Sequence, residues 1–279
     1  MNLVSTLRKS RLSVAASVAV LALALSACGS GNSGSGGSDK AAAAGITLVK
    51  PGKLTVCTHL PYKPFQYKDG TKVVGFDVDL LDLVAKDLGL EQDVVNIEWA
   101  QVTSGAAFQA KKCDMGMGAM TITPERQAAI SITAPYMDAT QVLMAKKDSG
   151  ITSLADLRGK KVGAQADTTG KKYADAQSKQ NGFEVIPFND LALQENNVKS
   201  GRVAAAINDN GVLYDFVKAN PDMAVVAEFN TGEQYGFGAL KTGSGPKLVE
   251  KFNTLLTAAK TDGKYNEIYK KWFGVEPKK

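Results

Sequence analysis

The sequence predicts an α/β protein made of two similar lobes joined by two crossing strands. Three observations carry this. Strand-like and helix-like segments alternate along the chain, the same strand–loop–helix grammar is written twice, and two extended runs, Gln141 to Lys147 and Gln234 to Leu240, stand where the chain would leave one lobe and return to it. One lobe is expected to take 46–140 plus 234–279, and the other 141–233 with the hinge strands.

The chain opens on an address rather than on structure. A basic stretch with Arg8, Lys9 and Arg11 precedes an apolar run from about Val14 to Leu25, which is short for a membrane span. Small residues at Ser26 and Ala27 suit a signal peptidase, so 1–27 reads as a signal peptide. Leu25-Ser26-Ala27-Cys28 resembles the lipobox of bacterial lipoproteins, which implies that Cys28 is diacylated and becomes the new N-terminus. From Cys28 to Gly45 the chain is mostly Gly, Ser, Asn and Ala, too poor in apolar surface to offset its ordering entropy. It reads as a flexible lipid tether with a reach of about 20 to 25 Å.

About 230 residues follow, enough for two lobes with a core each. The formal charge of +5 falls to +2 once the three basic residues of the signal leave, and the remaining Lys and Arg are scattered, which argues against nucleic acid as a partner. His59 is the only histidine and no Cys or His spacing matches a ligand set, so neither a metal nor another cofactor is expected. Cys57 and Cys113 remain beside Cys28. Export permits a disulfide between them, whereas their places late in one strand and just before another would set them more than one residue level apart in a parallel sheet, and the sequence leaves the pair open.

In the first lobe Lys53 to Thr58 is a short buried strand, followed by an irregular loop with Pro61, Tyr62, Pro64 and Phe65. Asp77 is expected to cap a helix whose apolar face is Leu80, Leu81, Val84 and Leu88 and which Gly89 stops. Val94 to Trp99 reads as the next strand, Gly105 to Lys111 as a helix, and the Gly-rich run Asp114 to Met120 as a core strand. The second lobe repeats this with the strand Lys160 to Ala164, the loop Gln165 to Gly170, a helix through Tyr173 and Ala176, the strand Phe183 to Ile186, a helix from about Asp190, and a core strand through Val203 to Ile207. Helices over Pro246 to Ala259 and Tyr265 to Phe273 are expected to pack back on the first lobe. In such folds ligands bind beyond the carboxyl ends of the strands, in the cleft between the lobes.

Five phrases, in order, carry a family resemblance: Pro61-Tyr62-Lys63-Pro64-Phe65, Val74-Gly75-Phe76-Asp77-Val78-Asp79-Leu80, Ala119-Met120-Thr121-Ile122-Thr123-Pro124-Glu125-Arg126, Leu154 through Gly163, and Tyr265 through Gly274. The chain resembles bacterial extracellular solute-binding proteins of family 3, the polar-amino-acid class serving ABC importers. The resemblance implies a periplasmic-binding-protein-like type II fold, a monomer on the outer face of the cell membrane, an amino acid as ligand, and a permease and ATPase as partners.

It also implies a site. Arg126 would grip the ligand carboxylate with its planar guanidinium, helped by free N–H groups of the loop that holds Gln165, Thr168 and the family's binding threonine, Thr169. Asp209 would hold the ligand ammonium, with the Thr121 hydroxyl and the Ala119 carbonyl completing the cage. Tyr62 and Trp99 match the aromatic walls around the ligand side chain. Read alone, each has a plainer use: Arg126 in a surface pair with Glu125, Asp209 capping a turn, the aromatics in the core. His59 departs from the family, standing where several relatives place an Asp, and this favours a polar or acidic ligand over a basic one. Two other classes share the fold, a cyclohexadienyl-dehydratase-like enzyme and a ligand-sensing lipoprotein. No nucleophile with a partnering base stands out for catalysis, and no signalling domain follows Trp272.

Overall fold

The computed structural model describes residues 36–277; the signal segment 1–27, Cys28 and the tether as far as residue 35 lie outside the described residues. The end of the expected tether is not flexible coil but a helix, α1 (Gly36–Ala43). Its alanines favour a helix because they lose no side-chain entropy there. Ala41 and Ile46 are buried, and Gly45, at φ 65°, turns the chain out of the helix while its carbonyl accepts from Lys247.

The first lobe is built from β1 (Lys53–Thr58), the hairpin β2 (Tyr67–Asp69) and β3 (Lys72–Val74), α2 (Phe76–Asp87), β4 (Glu91–Asn96), α3 (Trp99–Thr103), α4 (Ala106–Gln109), β5 (Met115–Gly116), α5 (Pro124–Ala129) and β6 (Ser131–Ile132). The second holds β7 (Met137–Lys146), β8 (Lys161–Gln165), α6 (Thr169–Asn181), β9 (Glu184–Phe188), α7 (Leu191–Lys199), β10 (Ala205–Asp209), α8 (Asn210–Ala219) and β11 (Met223–Tyr235). The chain then returns through β12 (Gly238–Ala239) to α9 (Gly245–Thr261) and α10 (Lys264–Phe273), which pack against α2.

Two five-stranded sheets result, ordered β4-β1-β5-β12-β6 and β11-β7-β10-β8-β9. In the first, β4, β1 and β5 run parallel, and in the second β9, β8 and β10 do. β1 and β10 are buried along nearly their whole length, as the apolar composition of inner parallel strands requires. Leu54 and Val56 share one core with Leu80, Leu81 and Val84 of α2 and with Leu248, Phe252 and Ile268 of the last two helices.

Four further expectations need correction. The first crossing lies not at 141–147 but near 133–137, while the return, near 235–238, falls inside the expected 234–240: β7 already pairs Met137 with Tyr235, and Gln141 to Lys146 sits inside the second sheet between β10 and β11, which is why it is so apolar. Trp99 does not end a strand; it opens α3, three residues beyond β4. Of the expected core strand 114–120 only Met115–Gly116 joins the ladder, because the positive φ of Gly118 (151°) and Ala119 (45°) bends the rest away. Asp77 caps nothing: α2 starts at Phe76 behind Gly75, and the Asp77 carboxylate turns inward.

The choice left open for the cysteines is also resolved. Cys57 and Cys113 form a disulfide with Cα atoms 5.6 Å apart. Cys57 is level with Gly116, three residues past Cys113, as the ladder argument foresaw. The chain before β5 is not on the ladder, however; it turns through Lys111 at φ 52°, which brings Cys113 back over the sheet beside Cys57.

Candidate functional site

The loops after β1, β5, β8 and β10 converge at the carboxyl ends of these strands, where the two lobes meet. They enclose a cavity of about 350 Å³, counting its mouth. The structure brings His59, Tyr62, Trp99, Ala119, Thr121, Arg126, Gln165, Thr168, Thr169 and Asp209 together around it, with Gln66 and Gly118 in addition.

Arg126 is placed by a short helix. Thr123 caps α5 by accepting the Arg126 N–H, and Pro124 presets the first turn. The guanidinium, 9% exposed, donates to the carbonyl of Thr121 at 2.8 Å and, across the lobes, to that of Asp167 at 3.3 Å. It lies 5.7 Å from the Trp99 ring, within cation–π range. Burial lowers its pKa, a direction that Asp209 and Glu233 oppose.

Asp209 ends β10 and is 3% exposed. Its carboxylate is ringed by donors: the Tyr235 hydroxyl at 2.6 Å, the Gln141 amide at 2.6 Å, and the Tyr62 hydroxyl from the other lobe at 3.3 Å. Burial pushes its pKa up, the three hydrogen bonds and Arg126 pull it down. Gln141 also donates to Glu233 at 2.7 Å, so one amide joins two carboxylates behind the cavity wall. Burial, and then Asp209, raise the pKa of Glu233 as well.

The opposite wall comes from the start of α6. Thr168 caps it, accepting the Lys171 N–H at 3.1 Å and donating to the Gln165 carbonyl at 2.7 Å. Thr169 meets the Thr121 hydroxyl across the lobes at 3.2 Å. A helix start of this kind leaves main-chain N–H groups that can receive an anion.

At the far end His59 Nδ1 lies 2.9 Å from the Ile97 carbonyl and donates to it, which leaves Nε2 as the other ring nitrogen. That Nε2 is buried without a partner, and so is the Gln66 Oε1. Gln66, Gln141, Tyr235 and Glu233 escaped sequence reasoning. Gln66 directly follows a phrase already singled out, whereas Gln141 sits within the second sheet and Glu233 and Tyr235 at the end of β11, and they reach the site only through the fold. Among the described residues no group of side chains has the makings of a metal site, and no helix is long and apolar enough to cross a membrane.

The comparisons agree with this geometry. Residues 54–275 match the model of bacterial extracellular solute-binding proteins, family 3. The arginine-binding extracellular protein ArtP of Bacillus subtilis (strain 168) is 33% identical over 224 residues, 80% of this chain and 87% of that protein. Among solved structures, an ancestral arginine-binding protein bound to glutamine is 37% identical with a TM-score of 0.73, covering 81% of this chain and 100% of its own. An ancestral amino acid-binding protein described as a precursor of cyclohexadienyl dehydratase is 35% identical with a TM-score of 0.71, covering 80% and 95%. With a family match over most of its length and relatives of the same two-lobed build, this chain belongs to the bacterial extracellular solute-binding proteins, family 3.

Proposed function

We propose that the protein is the amino-acid-binding component of an ABC importer, held at the outer face of the membrane by a lipid on Cys28, and that it closes its lobes on an amino acid with an uncharged polar side chain. The observation that carries this is the pairing of a buried guanidinium, Arg126, with a buried carboxylate, Asp209, on one cavity between two lobes. A zwitterion matches both poles, each through charge-assisted hydrogen bonds.

The side-chain reading rests on His59 and Gln66. Gln66 Oε1, an unpartnered acceptor, and His59 Nε2, an unpartnered ring nitrogen, favour a ligand side chain that brings N–H donors to this end of the cavity. Among the residues lining the cavity Asp209 is the one carboxylate, so a guanidinium or ammonium side chain would add a desolvated charge without a partner. A carboxamide supplies the donors without that charge. This narrows the expected polar or acidic class to its uncharged part. It also separates this chain from ArtP, whose name specifies arginine.

The protein acts as a binder and not as an enzyme in this reading, since the Asp209 carboxylate is engaged by three donors and has no nucleophile beside it. The deciding experiment is calorimetry on protein unfolded and refolded to strip carried-over ligand, titrated with L-glutamine, L-glutamate and L-arginine. L-glutamine should bind most tightly. Tighter binding of L-arginine would overturn the side-chain assignment, and turnover of a cyclohexadienyl acid would overturn the binder reading. Cys28→Ser should release the protein from the membrane fraction with ligand binding unchanged; retention would refute the anchor.

A further inference from the structure

Asp77 is fully buried at the second residue of α2, and the grip on a zwitterion makes no use of it. Its Oδ2 accepts the N–H groups of Gly118 at 3.0 Å and Ala119 at 2.8 Å, and its Oδ1 accepts the Tyr136 hydroxyl at 2.7 Å. The two amides belong to the loop after β5 that lines the cavity. The hydroxyl belongs to a crossing segment, where the Tyr136 N–H donates to the Tyr235 carbonyl at 3.0 Å.

That loop needs holding. Ala119 sits at φ 45°, a region L residues avoid, and a Cβ at Gly118 (φ 151°) would meet the Trp99 ring at 2.7 Å. Neither residue belongs to a helix or strand, so the ladder does not enforce this shape.

We propose that Asp77 is a positioning residue for ligand binding: its carboxylate holds the Gly118–Ala119 loop at the cavity wall and ties it, through Tyr136, to the hinge. The inference rests on reading the cavity as an amino-acid site. It accounts for an acid kept in a position where it caps no helix and meets no cation.

Protonation follows from the setting. Burial pushes the Asp77 pKa up to about 7, against the pull of its three donors. The groups facing it are Tyr136, whose own pKa is raised by burial and by Asp77, and beyond it Tyr265, which donates to the Tyr136 carbonyl, and Asp209. The N-terminal end of α2 favours the anion. Neutral carboxyl oxygens accept more weakly than ionised ones. The hold on the loop therefore strengthens as pH rises through about 7, and a ligand that needs the loop ordered binds more tightly there and expels a proton.

The test has a ligand-free arm and a binding arm. In ligand-free protein the amide resonances of Gly118 and Ala119 should titrate together with a midpoint of about 7. Tyr136→Phe, which removes a donor to the anion, should move that midpoint upward, and Asp77→Asn should abolish it. In calorimetry with L-glutamine, and with L-arginine as second probe, Asp77→Asn should bind about tenfold more weakly, the effect of losing charge-assisted bonds, and lose the pH dependence around neutrality. Glu233→Gln should retain it. Asp77→Asn with wild-type affinity and pH profile, or loop amides that ignore Tyr136→Phe, would overturn the proposal. If the wild type binds neither probe, the amino-acid reading fails, while the amide titration still decides whether Asp77 governs the loop.

Discussion

Arg126 and Asp209 are engaged differently by their own protein, and this shapes what each substitution does. Arg126 has two carbonyl acceptors and leaves donors free, so it is poised for an anion. If it grips the ligand carboxylate as proposed, removing it would cost about 2 to 5 kcal/mol, so Arg126→Ala should weaken L-glutamine binding by about thirtyfold or more in calorimetry. Arg126→Lys should recover only part, because an ammonium has no planar fork. Asp209 also anchors Tyr235, Gln141 and Tyr62, so Asp209→Ala should lower the thermal midpoint along with affinity, whereas Arg126→Ala should leave folding intact. Gln66→Glu places a carboxylate beside the unpartnered His59 Nε2 and should shift preference toward L-arginine; an unchanged ratio of L-arginine to L-glutamine affinity would mean Gln66 does not face the ligand side chain. A further carboxyl bears on stability. Glu195 on α7 is pushed up to about 8 by burial and by Asp215, against Lys63. An acid whose folded pKa lies above its unfolded value stabilises the fold while protonated, and that contribution disappears as pH rises through about 8. The ligand-free thermal midpoint should therefore fall as pH rises from about 4.5 to about 8, and Glu195→Gln should flatten that fall.

Among elements, the segment from α3 to β5 depends on the disulfide. Cys57 and Cys113 close a loop 56 residues apart in sequence and share a small core with Trp99, Val102 and Phe108. Cross-links over such loops stabilise by about 2 to 4 kcal/mol, so Cys57→Ser with Cys113→Ser should lower the urea midpoint by a corresponding amount and loosen the Trp99 wall of the cavity. A midpoint unchanged by the double substitution would show that packing alone secures the segment. The same stretch marks where sequence stops being informative. β1, α2, β8 and α7 were legible because periodic burial and punctuation by Gly89 or Asp190 coincide with their ends. His59, Gln165 and Asp209 could be placed since each closes or follows such a strand. Trp99 was assigned to a strand because a β-rich run continues through Ile97, and only tertiary packing starts the helix there. Asp77 was illegible for a sharper reason. An acid in a first helical turn reads as a cap, and the amides and hydroxyl it serves lie 41, 42 and 59 residues away.

At the scale of the molecule, function depends on how two lobes are kept apart or together. The crossings are knit to each other by Thr133 N–H to the Phe237 carbonyl and Tyr136 N–H to the Tyr235 carbonyl, so they bend as one ribbon. Few direct bonds span the cleft: Tyr62 to Asn208 and Asp209, Thr121 to Thr169, Arg126 to the Asp167 carbonyl, and, more exposed, the Lys172–Glu125 ion pair. Closure also desolvates Arg126 and Asp209, a cost that these bonds offset in part and that a zwitterion reaching both poles offsets further. A ligand shifts an equilibrium only through its difference in affinity between the two states, and in the proposed reading that difference is the pair of charge-assisted contacts made when both lobes touch the ligand. Ligand-free protein should accordingly populate opened forms, and saturating L-glutamine should reduce the radius of gyration in small-angle scattering. Arg126→Ala and Asp209→Asn, each of which removes one pole, should remain expanded at ligand concentrations that compact the wild type. A radius of gyration that stays constant in the wild type from zero to saturating L-glutamine would refute closure as the means of capture, because binding would then be shown to occur without any change in the distance between the lobes.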